Sequence, residues 1–190
     1  MSISPQDRQY LLTLARQTIT AVLQKQDSAR PQLEALTEDL RRPGASFVTL
    51  TMPGDQLRGC IGTIEPRQPL ALDVRENAVG SAFRDPRFPP LSAAELEQVH
   101  IEISVLTHPE PLDYDGPDDL LDKLRPSVDG VIIERGWHRA TFLPQVWEKL
   151  PTPAQFIAQL CMKAGLSPDD YRRPGLVVLT YQVEKFEEQK

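Results

Sequence analysis

Two β-hairpins, each followed by a helix with one apolar face and then by a further strand, set the terms on which this chain can fold. In the first, Val48, Leu50 and Met52 alternate with Phe47, Thr49 and Thr51 over Ser46–Met52, the period-2 pattern of a half-buried strand. Pro53-Gly54-Asp55 supplies turn chemistry, and Leu57–Ile64 is the return. Pro69 opens a helix with Leu70, Val74, Ala78 and Ala82 on one face. In the next strand, Val99–Leu106, the residues Val99, Ile101, Ile103 and Val105 face one way and His100, Glu102 and Ser104 the other. The pattern recurs: Gly130–Glu134 and His138–Leu143 around Arg135-Gly136-Trp137, a helix from Pro153 to Ala164 stopped by Gly165, then a strand Leu176–Phe186. It predicts an α+β fold, antiparallel sheets flanked by helices, with two subdomains in one domain spanning 1–190. It also raises an internal duplication, with subrepeats at about 46–106 and 130–186 that lay Arg58 over Arg139 and Cys60 over Thr141. The plain alternative is that such units are common and the identity between the two is slight.

The remaining segments are read by the same rules. Ser4, Pro5 and Asp7 form a helix start, and the apolar spacing carries that helix to about Gln26. A looser stretch runs to Arg42, with a short helix around Leu33–Leu40 that Pro43-Gly44 ends. The run from Arg84 to Pro90 cannot be regular, because its prolines lack N–H donors and restrict their predecessors. Ser92 and Glu95 make a capping box. A short helix is predicted near Asp118–Leu124, and the tail Glu187–Lys190 is expected to fray.

Composition removes several function classes. The 190 residues carry 21 Lys and Arg against 27 Asp and Glu, a net charge of −6, which disfavours a nucleic-acid or anionic-membrane binder. Two cysteines, Cys60 and Cys161, lie far apart, so neither a disulfide framework nor a Cys-rich zinc site is expected. His100, His108 and His138 form no ligand motif, and no metal site is predicted. No apolar run reaches the length of a membrane span and no secretory signal is seen at the N-terminus. The expectation is a soluble, cytoplasmic protein.

Chemistry is sought in four places. In Arg58-Gly-Cys-Ile-Gly62, two glycines inside a strand, Gly59 and Gly62, point to a bulge or a close backbone approach. Strand parity puts Arg58 and Cys60 on one face, where a guanidinium would favour a thiolate; a half-buried structural cysteine is the alternative. Cys161 sits on the apolar side of its helix and reads as core. Glu102 and Ser104 lie on the polar face of their strand, either in a cleft, where Glu102 would orient a proton-bearing group, or simply facing water. Arg84, Asp85 and Arg87 either grip a small polar or anionic ligand or brace a rigid loop. These residues are expected to converge on one concave surface, with Thr141 nearby if the repeat is real.

Leu57-Arg-Gly-Cys-Ile-Gly62, Asp85-Pro-Arg-Phe-Pro89, Thr141-Phe-Leu-Pro-Gln-Val146 and Leu160-Cys-Met-Lys-Ala-Gly-Leu166 together resemble the AMMECR-one domain family, also called AmmeMemoRadiSam system protein A. The resemblance covers nearly the whole chain. It implies an α+β fold with two subdomains, and it makes the hexapeptide with Arg58, Cys60 and Gly62 the hallmark lining the site. It also implies a pathway shared with a Memo-type protein and a radical SAM protein, and it leaves any cofactor unknown. Two roles stay open: a cleft in which Cys60 reacts, or a non-catalytic module presenting a substrate or peptide to those partners.

Overall fold

The computed structural model describes residues 3–26 and 30–189. They divide into two compact units, Met1–Leu106 with Glu184–Lys190, and Thr107–Val183. The looser stretch expected after Gln26 begins at 27–29, which lie outside the described residues.

In the first unit, α1 (Pro5–Leu23) starts as the sequence predicts: the Ser4 side chain accepts from the Asp7 N–H at 3.1 Å. The helix stops at Leu23, short of Gln26. A 3₁₀ turn, Leu33–Ala35, and α2 (Glu38–Arg41) follow. Strand β1 (Pro43–Met52) begins where a stop was expected, because Pro43 and Gly44 pair with Pro69 and Gln68 of β3 (Gln68–Pro69). Between them lies β2 (Gln56–Gly62), and beyond them α3 (Leu70–Phe83), α4 (Ala93–Leu96) with the expected capping box, and β4 (His100–Leu106). Strand β1 is central, antiparallel to both β2 and β4. Its even-numbered residues Val48 and Leu50, with Ile101 and Ile103 of β4, pack against Leu11, Ala15 and Ile19 of α1 and Val74 and Ala78 of α3. Burying each of the larger of these side chains stabilises the fold by about 1.5–3 kcal/mol. Helices cover this face, so the odd-numbered residues of β1 mark the opposite one.

The second unit holds β5 (Glu110–Pro111), α5 (Gly116–Lys123), β6 (Gly130–Arg135), β7 (His138–Phe142), α6 (Pro153–Lys163) and β8 (Val177–Tyr181), in sheet order β5-β8-β6-β7. Its core is built on Trp147, carried by a 3₁₀ turn at Pro144–Glu148. The indole stacks on Phe156 at 3.7 Å between ring centroids and donates Nε1–H to the Asp129 carbonyl at 2.7 Å. Cys161 is fully buried in this core.

The strand expected at Leu176–Phe186 is two strands. Strand β8 ends at Tyr181, and β9 (Val183–Glu187) joins the first sheet beside β4, giving the order β2-β1-β4-β9. The tail does not fray from Glu187: Glu188 accepts from the Ile101 N–H at 3.0 Å and pairs with Arg16. In both units the first hairpin strand is central, flanked by its return and by the strand after the helix. That shared order is a likeness of topology and does not establish an internal duplication. Among the described residues no helix is long and apolar enough to cross a membrane.

Candidate functional site

The hexapeptide is shaped by α3 on one side and by the sheet on the other. A Cβ at Gly59 would lie 2.1 Å from the Ser81 carbonyl oxygen, and one at Gly62 would lie 2.2 Å from the Phe47 ring. Glycine is therefore a steric requirement at both places. Ser81 completes the fit: its hydroxyl accepts from the Ile61 N–H at 2.9 Å and donates to the Val48 carbonyl at 2.6 Å. A side-chain hydroxyl thus bridges β2 and β1 where the register brings Ile61 opposite Val48.

Strand parity does not survive at Arg58. Leu50 pairs with Gly59 and Thr51 with Leu57, so Arg58 is the extra residue of a β-bulge. Its guanidinium goes to the proline loop. It donates to Glu95 at 2.7 Å and to the Pro89 carbonyl at 2.9 Å, lies over the Phe88 ring, and is left only 7% exposed. The Arg58 fork, reinforced by Ser92, holds the Glu95 carboxyl down at about 2. Arg58 braces a loop and does not stand beside the thiol.

The cation near Cys60 is Arg87. Asp85 accepts from the Cys60 N–H at 2.9 Å, and Arg87 donates to the Cys60 carbonyl at 3.2 Å. The two side chains pair at 2.6 Å, so one ion pair holds both backbone groups of Cys60 at the free edge of β2. Hydrogen bonds from Arg87 hold the buried Asp85 carboxyl well below the usual carboxylate range. The bond to Asp85 raises the Arg87 guanidinium in turn, and the proximity of Cys60 adds to it.

The Cys60 thiol is half-buried and accepts from the Thr49 hydroxyl at 3.3 Å. Thr49 pairs with Cys60 on one side and Glu102 on the other. Cys60, Thr49 and Glu102 therefore form a cross-strand row on the face away from the helices, and Glu102 continues it to Lys185 at 3.4 Å. Two strand spacings separate Cys60 from Glu102, about 10 Å, so the carboxylate acts on the row and not on the sulfur directly. Ser104 is buried, opposite Phe47 in the next row of that face.

Of the remaining candidates, Arg84 turns the other way. It is exposed and folds back along α3 with Nη2 3.4 Å from the Glu76 carbonyl. Thr141 lies on β7 of the second unit, where its hydroxyl meets the Tyr181 hydroxyl at 3.0 Å. Burial pushes that phenol up to about 12. The first unit thus brings Cys60, Asp85 and Arg87 into direct contact and places Glu102 on the same face. It directs Arg58 and Arg84 elsewhere.

Sequence reasoning passed over Thr49 and a polar stripe on α3. Asp73, Asn77 and Ser81 recur every four residues on a helix read for its apolar face, and all three are buried. Their spacing was the signal. Asp73 accepts from Ser46 at 2.6 Å, Thr63 at 2.7 Å and Asn77 at 2.9 Å. Burial raises its carboxyl, and the bonds from Ser46 and Thr63 work against the rise.

A sequence model described as AMMECR1 matches residues 12–186. A protein of Methanothermobacter thermautotrophicus is 40% identical over 187 residues, covering 98% of this chain and 96% of its own. Protein MJ0810 of Methanocaldococcus jannaschii is 38% identical over 162 residues, 82% of this chain and 79% of its own. The crystal structure of PH0010 from Pyrococcus horikoshii is similar with a TM-score of 0.80 at 33% identity, covering 98% of this chain and 94% of that one. Matched along nearly its whole length in sequence and in fold, the chain belongs to the AMMECR1 family.

Proposed function

We propose that this protein works through the Cys60 thiol as nucleophile or transient ligand, in a reaction shared with a Memo-type protein and a radical SAM protein. The observation that carries the reading is the way the residue is held. Its N–H and carbonyl are both fixed by the Asp85–Arg87 pair, and its sulfur accepts from Thr49. The Thr49 hydroxyl donates to the sulfur while the Asp85–Arg87 pair fixes the backbone, so the thiol is held in one direction. A cysteine serving only as packing needs neither. The Thr49–Glu102 row then supplies the polar surface on which a small polar or anionic group is received.

Alkylation of the native protein tests the chemistry. Iodoacetamide is expected to modify Cys60 first, and Thr49→Val to slow that reaction. Cys161 should stay unmodified, because its thiol is fully buried and burial pushes it up. With both partner proteins present, Cys60→Ser should abolish turnover while thermal unfolding stays unchanged. Full turnover in Cys60→Ser, with loss in Glu102→Arg on the same face, would transfer the role to the non-catalytic presenting module.

A further inference from the structure

A groove of about 500 Å³ runs between the end of β2, at Ile61 and Gly62, and α3. Cys60 is not among its lining residues, although Ile61 and Gly62 are. Asp73, Asn77 and Gly80 of α3 and its C-cap residue Arg84 fall at intervals of four, three and four, so they follow one stripe, and all four line the groove with Glu76. The middle of the stripe has no side chain: a Cβ on Gly80 would come within 2.8 Å of the Ile61 methyl.

Most of the charge in the groove is already satisfied. Arg67 pairs with Glu65 at 2.6 Å, and Asp73 takes three hydrogen bonds. Three groups are left over. Arg84 makes no ion pair among the described residues and touches only the Glu76 carbonyl, at 3.4 Å. The exposed Glu76 carboxylate is met only by the neutral amide of Gln68, at 3.1 Å. Asn77 is 3% exposed, and its amide nitrogen donates to Ser46 and Asp73. Its carbonyl oxygen accepts nothing from the described residues. The two unspent charges share a helix and a groove yet do not pair with each other. A free cation, a free anion and an amide oxygen that stays open to the groove match a ligand that carries both charges and N–H donors.

We infer that this groove binds a small zwitterion of the α-amino-acid class. Arg84 takes the carboxylate, Glu76 and the Asn77 carbonyl oxygen take the ammonium, and the half-buried Ile61, which itself covers Gly80, meets the ligand's side chain. An anion alone would leave Glu76 facing it, and a cation alone would face Arg84. The inference does not depend on the reactivity of Cys60.

Amide chemical shifts of the full protein titrated with L-alanine, propionate and ethylammonium test it. L-Alanine should move the amides of Gly62, Thr63 and Gly80, and each half-molecule should bind at least about tenfold more weakly, a difference of roughly 1.4 kcal/mol. Arg84→Ala and Glu76→Gln, both at exposed positions, should each weaken L-alanine by a similar factor with the spectrum otherwise preserved. The proposal is overturned if L-alanine leaves those amides unmoved, if propionate matches it, or if either variant binds it as tightly as the original chain.

Discussion

Close approach governs single residues in the hexapeptide. Gly59 sits where the Ser81 carbonyl of α3 comes within 2.1 Å of the place a Cβ would take, and the obstacle is backbone, which cannot rotate away. Gly59→Ala must therefore push α3 and β2 apart or break the Ser81 bridge. A cost of about 2–3 kcal/mol is expected, in the range of overpacked cores. Urea denaturation reads it directly. The same substitution at Gly54, whose Cβ would meet nothing within 4 Å, is strained only through its positive φ of 82° and is expected to cost less, about 1 kcal/mol. Equal costs at the two sites would remove the steric account of the motif. Cys60 then owes its position to its neighbours: Gly59 admits the helix, and the helix leads into the loop whose Asp85 and Arg87 hold the Cys60 backbone.

Among elements, the proline loop Arg84–Pro90 is the piece that ties the site together, and it is held by charge. Arg58 reaches it from the bulge of β2, donating to the Pro89 carbonyl, and Glu95 in the first turn of α4 pairs with that guanidinium. Glu95 has its carboxyl lowered from 4.5 to about 2, and Asp85 is lowered further. A carboxyl lowered on folding stabilises the folded state above its unfolded value, and the contribution is lost as pH falls through the folded value. Stability should therefore decline below pH about 4.5 and keep falling toward pH 2. Asp73, raised by burial, works in the opposite sense and offsets part of the loss. Glu95→Gln should cost about 2 kcal/mol at neutral pH, since it strips the buried Arg58 of a charged partner. Most of that difference should vanish near pH 2; a gap independent of pH would show that Glu95 acts through packing and not charge. Hairpins, capped helices and the irregular loop were legible because propensity, capping and proline geometry act over a few residues. The bulge at Arg58 was not, since it depends on how β2 registers against β1. For the same reason Arg87, and not Arg58, turned out to be the cation at Cys60. Thr49 was passed over because its importance comes from two strands on either side of it.

At the scale of the whole molecule, the chain leaves the first unit after Leu106, builds the second, and returns from Glu184 to complete the first. The single strand read at Leu176–Phe186 concealed this return, because β8 and β9 are separated by one residue, Gln182, with no glycine or proline to mark the break. Local patterning cannot say which sheet a strand joins. The return is anchored at three points: Phe186 in the core of the first unit, Glu184 on the Ile3 N–H at 3.1 Å, and Glu188 on Arg16, whose Nη1 also donates to the Leu96 carbonyl at 2.7 Å. Phe186 is 9% exposed and packs with residues of the core that α1, α3, β1 and β4 build. Phe186→Ala should therefore destabilise the first unit by about 3 kcal/mol. The adjacent Lys185→Ala, on the exposed side of β9, should change stability by less than about 0.5 kcal/mol. Hydrogen exchange locates the effect: in Phe186→Ala the amides of β1 and β4 should lose protection, while those of β6 and β8 keep theirs. Loss confined to β6 and β8 would place the last strand with the second core and reverse the reading of the chain's return.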